Sequence, residues 1–464
     1  VIKMRNNMLK YKKRIDEQGV TAELVLEIIS AHKPEYQRTK KLYSRYCVDE
    51  VDGPEIFNRE IVDYQLDSRS VVRLDDKVNN QLNNPFDVDI IDTKIGYMFG
   101  HPISYGVDDD ADNLKKEMEF FLLRNNAEDN DAELGLMASI CGYAARLCYI
   151  DLEGNERIKN IEPWESVFIG EDIHEPTYSL RYYTFDGNQY AEFYDQHHVY
   201  YFTHGDAGFT LQNAELHLFD YNPLFGTANN KEFKGDAEKV LALIDAYDRT
   251  LSDASNELEQ FRLAYLILRG MGADPEDIER FNKSGIFELM GDTDEIKYLT
   301  KDINDAMIEN HLNRLESNIL RFAKSVNFAD EQFSGNASGI AMRLKIMALE
   351  NKSIIMERKF TSTLRYQFKV LFSAWAKRKG FKQEDYLKMF FSFKRNLPAN
   401  ILDEAQTTQL LKGQVSEATR LSLLTFVDDV QYELDQMKQD AFLYESDIEP
   451  LIEDGDDDGP VRNQ

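Results

Sequence analysis

The side chains best suited to chemistry are few and scattered. His197, His198 and His204 stand close in sequence, with Asp195 and Asp206 beside them. Imidazole and carboxylate groups ligate zinc, but a site needs ligands that converge and outer partners that orient them. No cysteine lies near, so surface histidines are the commoner reading. Cys141 and Cys148 fall two turns apart on the apolar face of an expected helix, which suits core packing better than ligation. Asp108, Asp109, Asp110 and Asp112 could attract calcium, yet the EF-hand spacing with its glycine and closing glutamate is missing. A solvated acidic turn that caps a helix starting near Asn113 fits them better. No G-x-x-x-x-G-K-[ST], H-E-x-x-H, C-x-x-C or G-x-S-x-G motif occurs. The expectation is a chain that is not an enzyme, with no catalytic residue, no metal site and no cofactor. Any ATP-driven step then belongs to another protein.

The elements that could position other functions are clearer than the chemistry. The first part, to residue 235, mixes helices and strands. Residues 20–47 read as helical through Leu24, Val25, Ile28, Ile29 and Ala31, with Pro34 as an interruption. Asn113 to Asn126 form a second helix with Leu114, Met118, Phe121 and Leu122 on one face. A third runs from Asp129 to Leu147. Residues 148–220 place Tyr, Phe, Val and Thr between turn signals at Gly154, Gly187 and Gly205, the mark of short antiparallel strands.

From Asp236 to Phe261 the apolar residues Val240, Leu243, Tyr247, Leu251, Ala254, Leu258 and Phe261 alternate steps of three and four. That is one long helix with a narrow seam. A second spans Ile303 to Val326, with Met307, Ile308, His311, Leu312, Leu315, Ile319, Phe322 and Val326 on its face. Each is ~35 Å long. The insertion between them is punctuated by Gly270, Gly272, Pro275, Gly285 and Gly291. In it Ile286 to Leu289 and Ile296 to Leu299 read as strands around Gly291-Asp292. If the helices pack antiparallel, the insertion is the tip of a stalk, and Tyr265, Leu266, Ile267, Ile286, Phe287, Leu289 and Tyr298 there call for a neighbour.

A polar, glycine-containing loop follows, with Asn327, Phe328, Asp330, Glu331, Gln332, Phe333, Ser334 and Asn336 flanked by Arg321, Lys324, Arg343 and Lys345. A flexible connector is one reading, a loop projecting into a channel the other. Ser338 can cap the next helix, which runs from Gly339 to Arg378 over ~60 Å. Residues 387–394 alternate like a strand. Helices cover residues 402–443 around a turn at Gly413 and Ser416, and an acidic tail begins at Glu445.

Composition sets the limits. With 464 residues, 42% hydrophobic and 12% aromatic, more than one core is expected. No apolar run of ~18 residues suggests a membrane helix. The early Lys3, Arg5, Lys10, Lys12, Lys13 and Arg14 surround no signal-type apolar segment. Three cysteines argue against a disulfide scaffold and fit a reducing cytoplasm. The net charge of −29 argues against a protein that grips nucleic acid by neutralising phosphates. It is compatible with one that surrounds DNA and lets it slide, because an acidic wall offers phosphates no binding site. Solubility alone is the blander account.

Several stretches together resemble one family. Tyr221-Asn222-Pro223-Leu224 with Asn229-Asn230-Lys231-Glu232 is similar to the approach to the stem in phage portal proteins of the SPP1-like family. Leu243-Ile244-Asp245-Ala246-Tyr247 with Leu251-Ser252-Asp253 resembles the first stem helix. Ala264-Tyr265-Leu266-Ile267-Leu268-Arg269-Gly270 resembles the approach to the clip. Gly335-Asn336-Ala337-Ser338-Gly339-Ile340-Ala341 with Leu349-Glu350-Asn351-Lys352 resembles the tunnel loop and the helix behind it. Ile140-Cys141-Gly142-Tyr143-Ala144 looks like part of the wing. Val415-Ser416 with Thr419 and Phe426-Val427-Asp428-Asp429 looks like the crown. No single stretch is specific; their order along residues 20–445 is.

The resemblance implies a portal-type fold, mainly α with α+β parts. The wing would be residues 1–235, the stem helices 236–261 and 303–326, and the clip 262–302. The tunnel loop would be 327–338, the long kinked helix and return to the wing 339–398, the crown 399–444 and the acidic tail 445–464. It further implies a homo-oligomeric ring, dodecameric or thirteen-fold in isolation, at one capsid vertex of a virion. The subunits would be made in the bacterial host cytoplasm without a membrane. Double-stranded DNA would pass the tunnel loop without sequence readout. The clip would dock terminase and then a head-completion (adaptor) protein, and the wing would meet scaffolding and major capsid proteins. Two rivals stay open. A DNA-processing enzyme (a nuclease or terminase subunit) would need a carboxylate cluster and a divalent metal. A helical adaptor would never close a ring.

Overall fold

Helices α1 (Ile2–Gln18) and α2 (Ala22–Tyr46) open the chain in the computed structural model. The structure describes residues 2–60, 62–65, 70–73, 78–107, 112–206, 208–261, 265–269, 295–299, 305–327, 339–396, 401–424, 427 and 430–446. Thr21 caps α2, its hydroxyl accepting from the Leu24 amide at 3.3 Å. Pro34 lies inside α2 and does not interrupt it, contrary to the sequence expectation. A proline removes one backbone hydrogen bond. The buried face, with Leu24, Val25 and Ile28 before it and Thr39 and Arg45 after it, keeps both halves in one helix.

A hairpin of β1 (Val62–Gln65) and β2 (Ser70–Arg73) follows, then α3 (Phe86–Phe99), β3 (Ser104–Val107) and α4 (Asp112–Arg124). Helix α5 (Ala127–Cys141) ends earlier than expected. Gly142 takes φ +93° and closes it, and Tyr143–Ile150 is strand β4. The expected helix to Leu147 is therefore corrected. Cys141 and Cys148 are both buried, but one ends a helix and the other lies in a strand. Strand β4 is buried on both faces from Tyr143 to Cys148. A continuous apolar run of that kind has no period to separate strand from helix.

Strands β5 (Glu156–Ile161), β6 (Ser166–Ile169), β7 (Tyr178–Phe185), β8 (Asn188–Tyr194), β9 (His198–Gly205), β10 (Gly208–Leu216) and β11 (Leu224–Ala228) complete this region. Gly154 and Gly187 make left-handed turns between β4 and β5 and between β7 and β8. One sheet has the antiparallel order β10-β9-β8-β7-β6, and a second the order β11-β4-β5. Helices α1 and α2 cover the first sheet, with Tyr11, Ile15, Leu24, Val25 and Ile28 against Val167, Ile169, Leu180, Phe193 and Phe202.

In this layer His32 is fully buried, and its Nδ1 lies 2.8 Å from the Tyr182 hydroxyl. Burial lowers its pKa to about 4, against the pull of Glu35 and with help from Arg38. The unfolded chain protonates the same ring near ~6.5. The folded value is depressed, so the contribution is complete above pH ~6.5 and is lost as pH falls towards ~4. It amounts to about 3 kcal/mol. Urea unfolding across that range should show a falling midpoint, and His32→Gln should flatten the fall. An equally steep slope in the variant would assign the loss to other groups.

Beyond β11, the turn containing Asp236 leads into α6 (Leu241–Phe261). Strands β12 (Tyr265–Arg269) and β13 (Glu295–Leu299) pair antiparallel before α7 (Asp305–Ala323). Val240 just before α6 and Ile244 in its first turn cluster with Ile319 and Ala323 at the end of α7 and with Ile90 of α3. The two helices are thus antiparallel. The strand read at Ile296 to Leu299 pairs with β12; its expected partner at Ile286 to Leu289 lies outside the described residues.

Helix α8 (Gly339–Arg378) has 40 residues. Its second half fills a core in which Phe368, Leu371, Phe372 and Trp375 meet Phe121, Phe225 and Met389. In its first half Ile346, Leu349 and Met356 are buried, while Leu344, Met347 and Ile355 are exposed. A 3-10 turn at Gln383–Lys388 shortens the expected strand to β14 (Met389–Ser392), which pairs with β3. Residues 396–464 form a second compact unit. It holds α9 (Ile401–Leu410), α10 (Glu417–Leu421) and α11 (Val430–Ser446). Ser416 caps α10 by accepting from the Thr419 amide at 3.2 Å. Glu445 belongs to α11; the acidic stretch after Ser446 lies outside the described residues.

Candidate functional site

The polar site with the most partners lies where α6 and α7 meet the rest of the chain. Lys94 sits on the buried face of α3 with Ile90, Ile91, Tyr97 and Met98, where a charge must be paired. Its Nζ donates to Asn229 Oδ1 at 2.6 Å and to Asp236 Oδ2 at 2.9 Å. The other oxygen of Asp236 accepts from Asn229 Nδ2 at 3.0 Å and lies 3.1 Å from Lys352 Nζ. Lys352 also donates to the Ala323 carbonyl at 2.9 Å. That carbonyl belongs to the last turn of α7, where unpaired acceptors and the helix dipole favour a cation. One carboxylate therefore ties together α3, the end of β11, the turn before α6, α7 and α8.

Burial opposes the charge on Asp236, but Lys94 and Lys352 outweigh it and hold the carboxyl at about 2. Burial pulls Lys94 down to about 8 against the attraction of Asp236. Both are charged at neutral pH, and what the arrangement does is hold position. Other buried pairs repeat the pattern. Arg45 lies 2.8 Å from Asp245 of α6 and 3.3 Å from Asp87 of α3. Arg146 of β4 donates to Asp131 of α5 at 2.7 Å and to Gln367 of α8 at 2.9 Å. Sequence reasoning missed all three. Only Arg146 offered a signal, an arginine alone in the apolar run Ala144 to Cys148; Lys94 follows Asp92 and Thr93, and Arg45 follows Ser44.

The structure places part of each surface expected from the sequence. On β12 and β13, Leu266 stands opposite Tyr298, Tyr265 opposite Leu299 and Ile267 opposite Lys297. Ile286, Phe287 and Leu289 are outside the described residues. Lys324 turns the chain out of α7 at φ +56°, and Asn327 is exposed. Phe328, Asp330, Glu331, Gln332, Phe333, Ser334 and Asn336, like the capping Ser338, are outside the described residues. Arg343 and Lys345 lie in the first two turns of α8.

The histidine stretch serves a turn between β8 and β9. The Asp195 carboxylate accepts from the His197 and His198 amides, each at 2.7 Å. These residues edge a cleft of about 560 Å³ with Tyr178, Tyr200, Tyr366 and Lys369, whose ammonium is paired with Glu175 at 2.9 Å. His204 is on β9, and Asp108, Asp109 and Asp110 fall outside the described residues. Among the described residues no group of three or more His, Cys, Asp or Glu side chains could hold a metal ion, and no helix is long and apolar enough to cross a membrane.

A family model described as phage portal protein, SPP1 Gp6-like, matches residues 26–441. The portal protein of Bacillus phage SPP1 is 22% identical over 479 residues, covering 96% of this chain and 92% of that one. The portal protein of Clostridium phage phiCD119 is 24% identical over 439 residues, covering 88% of this chain and 94% of that one. The family match starts within α2 and ends within α11, and so takes in the charged junction, both antiparallel helices and the long helix behind them. With the match spanning most of its length, the chain belongs to the SPP1 Gp6-like family of phage portal proteins.

Proposed function

We propose that this chain is one subunit of a ring-shaped channel at a single capsid vertex of a tailed double-stranded DNA phage, used for DNA packaging, retention and ejection. Family membership along the chain carries the reading. A second observation supports it: the long helices leave apolar side chains uncovered in the single chain. Phe322 on α7, Leu258 on α6, and Leu344, Met347 and Ile355 on α8 are all exposed. Neighbouring copies around a ring would cover them.

In this reading α6 and α7 are the stem, and β12 and β13 belong to a clip that docks terminase and later a head-completion protein. Residues 327–338 are the tunnel loop. The strand-rich part is the wing facing scaffolding and major capsid proteins, and residues 399–444 are the crown. The role is structural, not catalytic. A net charge of −29 favours passage over grip, because few phosphates would be neutralised and few counterions released.

Negative-stain electron microscopy with light scattering tests the ring. Closed rings of about a dozen copies are the expected result. A compact monomer that persists at high concentration and with capsid components present would sink the proposal.

A further inference from the structure

Segment 78–84 meets α6 through a regular set of bonds that belongs to no helix or sheet. The Asn84 amide donates to Asp248 Oδ1 at 2.8 Å, the Leu82 amide to Ser252 Oγ at 3.0 Å and the Asn80 amide to Asn256 Oδ1 at 2.7 Å. Donors step by two and acceptors by four, in opposite chain directions. Two residues of extended backbone advance about 6.6 Å, and four residues of helix about 6.0 Å. The two periods match, so successive rungs stay in register. Pro85 biases Asn84 towards the extended conformation this requires. The acceptors lie under the segment, with Asp248 1%, Ser252 0% and Asn256 6% exposed. Side-chain amides reinforce both ends, Asn84 Nδ2 donating to Asp248 at 3.0 Å and Asn80 Nδ2 to Glu259 at 3.1 Å.

The same segment closes a neck. Gln81 Nε2 donates to the carbonyls of Phe57 at 3.0 Å and Arg59 at 3.1 Å, and Asn79 Nδ2 donates to the Arg59 carbonyl at 3.0 Å. The Arg59 guanidinium pairs with Asp253 of α6. Both ends of residues 60–78, which carry the β1–β2 hairpin, are thereby pinned at one level of α6.

We propose that segment 78–84 is a register strap that couples the β1–β2 hairpin to the axial and rotational position of α6. Moving α6 by one residue relative to the strap shifts each acceptor by ~1.5 Å and ~100°, which takes all of them away from their donors together. No single rung can be kept while the others go. The strap therefore follows the helix or leaves it as a unit, and the hairpin goes with it. Its bonds end on side chains, so release would leave the backbone hydrogen bonds of α6 intact. This coupling lies within one chain and does not depend on the ring.

Hydrogen exchange at residue resolution on the full chain tests it. In the unmodified protein the amides of Asn80, Leu82 and Asn84 should be protected. Ser252→Ala removes the middle acceptor, and all three should then speed up together by about tenfold. The hairpin amides should accelerate with them, while those of α6 keep their protection. Acceleration confined to Leu82 would mean independent rungs, and an unchanged hairpin would mean no coupling; either overturns the strap. Unprotected amides in the unmodified protein overturn the contact itself. Asn256→Ala removes a different acceptor and checks the coupling without relying on Ser252→Ala. It should speed all three strap amides and the hairpin amides together, and acceleration confined to Asn80 would contradict the proposal.

Discussion

Asp236→Asn is expected to lower the stability of the unit holding residues 1–395 by about 3–5 kcal/mol, because it strands a buried lysine. Asparagine keeps the shape and one acceptor oxygen but removes the charge that faces Lys94 at 2.9 Å and Lys352 at 3.1 Å. Lys94 has no exposed surface from which to recruit water. Urea unfolding followed by the fluorescence of Trp164 and Trp375 should show the loss as a lower midpoint with an unchanged slope. Lys94→Met combined with Asp236→Leu should cost less than the sum of the single changes by more than about 1 kcal/mol, since the fully buried lysine is then no longer left without its carboxylate, while Lys352 keeps the Ala323 carbonyl. A cost for Asp236→Asn below about 1 kcal/mol would show that the junction does not depend on this pair.

Gly142→Ala is expected to cost about 4 kcal/mol or more, placing it among the largest single-residue effects. At φ +93° a side chain is already strained. A Cβ there would also lie 2.2 Å from the Phe233 carbonyl oxygen and 2.7 Å from the Lys234 nitrogen. Those are backbone atoms and cannot rotate away. Arg38 holds them further, donating to the carbonyls of Cys141 at 2.9 Å and Phe233 at 3.2 Å. The loop that delivers Asp236 to its partners thus rests directly on the end of α5. Loss of folded protein on expression, or a thermal midpoint many degrees lower, is the expected readout. A midpoint within a few degrees of the parent would refute this account.

Where the sequence is periodic, the structure follows it closely. The long helix starts at Gly339 and ends at Arg378, where the polar loop and the end of its apolar pattern place it. The strand turns fall at Gly154 and Gly187, because left-handed turns select glycine. Period fails at Gly142, where a strand buried from Tyr143 to Cys148 follows a helix without a change of composition; the glycine itself was the stop signal. Pro34 misleads the other way, since tertiary burial on both sides outweighs one missing hydrogen bond.

The candidate site was least legible. Lys94, Asn229, Asp236 and Lys352 are far apart in sequence and share no motif. Only the folded backbone makes them neighbours. Apolar spacing on α8 was legible, but not which residues face inward. Leu344, Met347 and Ile355 are as regular as the buried stripe beside them.

The pairing of β14 with β3 sets Met389 opposite Val107. The same core waits for Phe368 and Trp375 to cover Phe121 and Phe225. Contacts so distant along the chain close late and slowly. During synthesis, the ribosome must therefore release more than four-fifths of the polypeptide before the apolar cluster around Phe368 and Trp375 can shut. Until then the nascent chain carries an open aromatic surface. The finished subunit, and with it any assembly of subunits, is gated by translation reaching the end of that long helix and the short strand behind it.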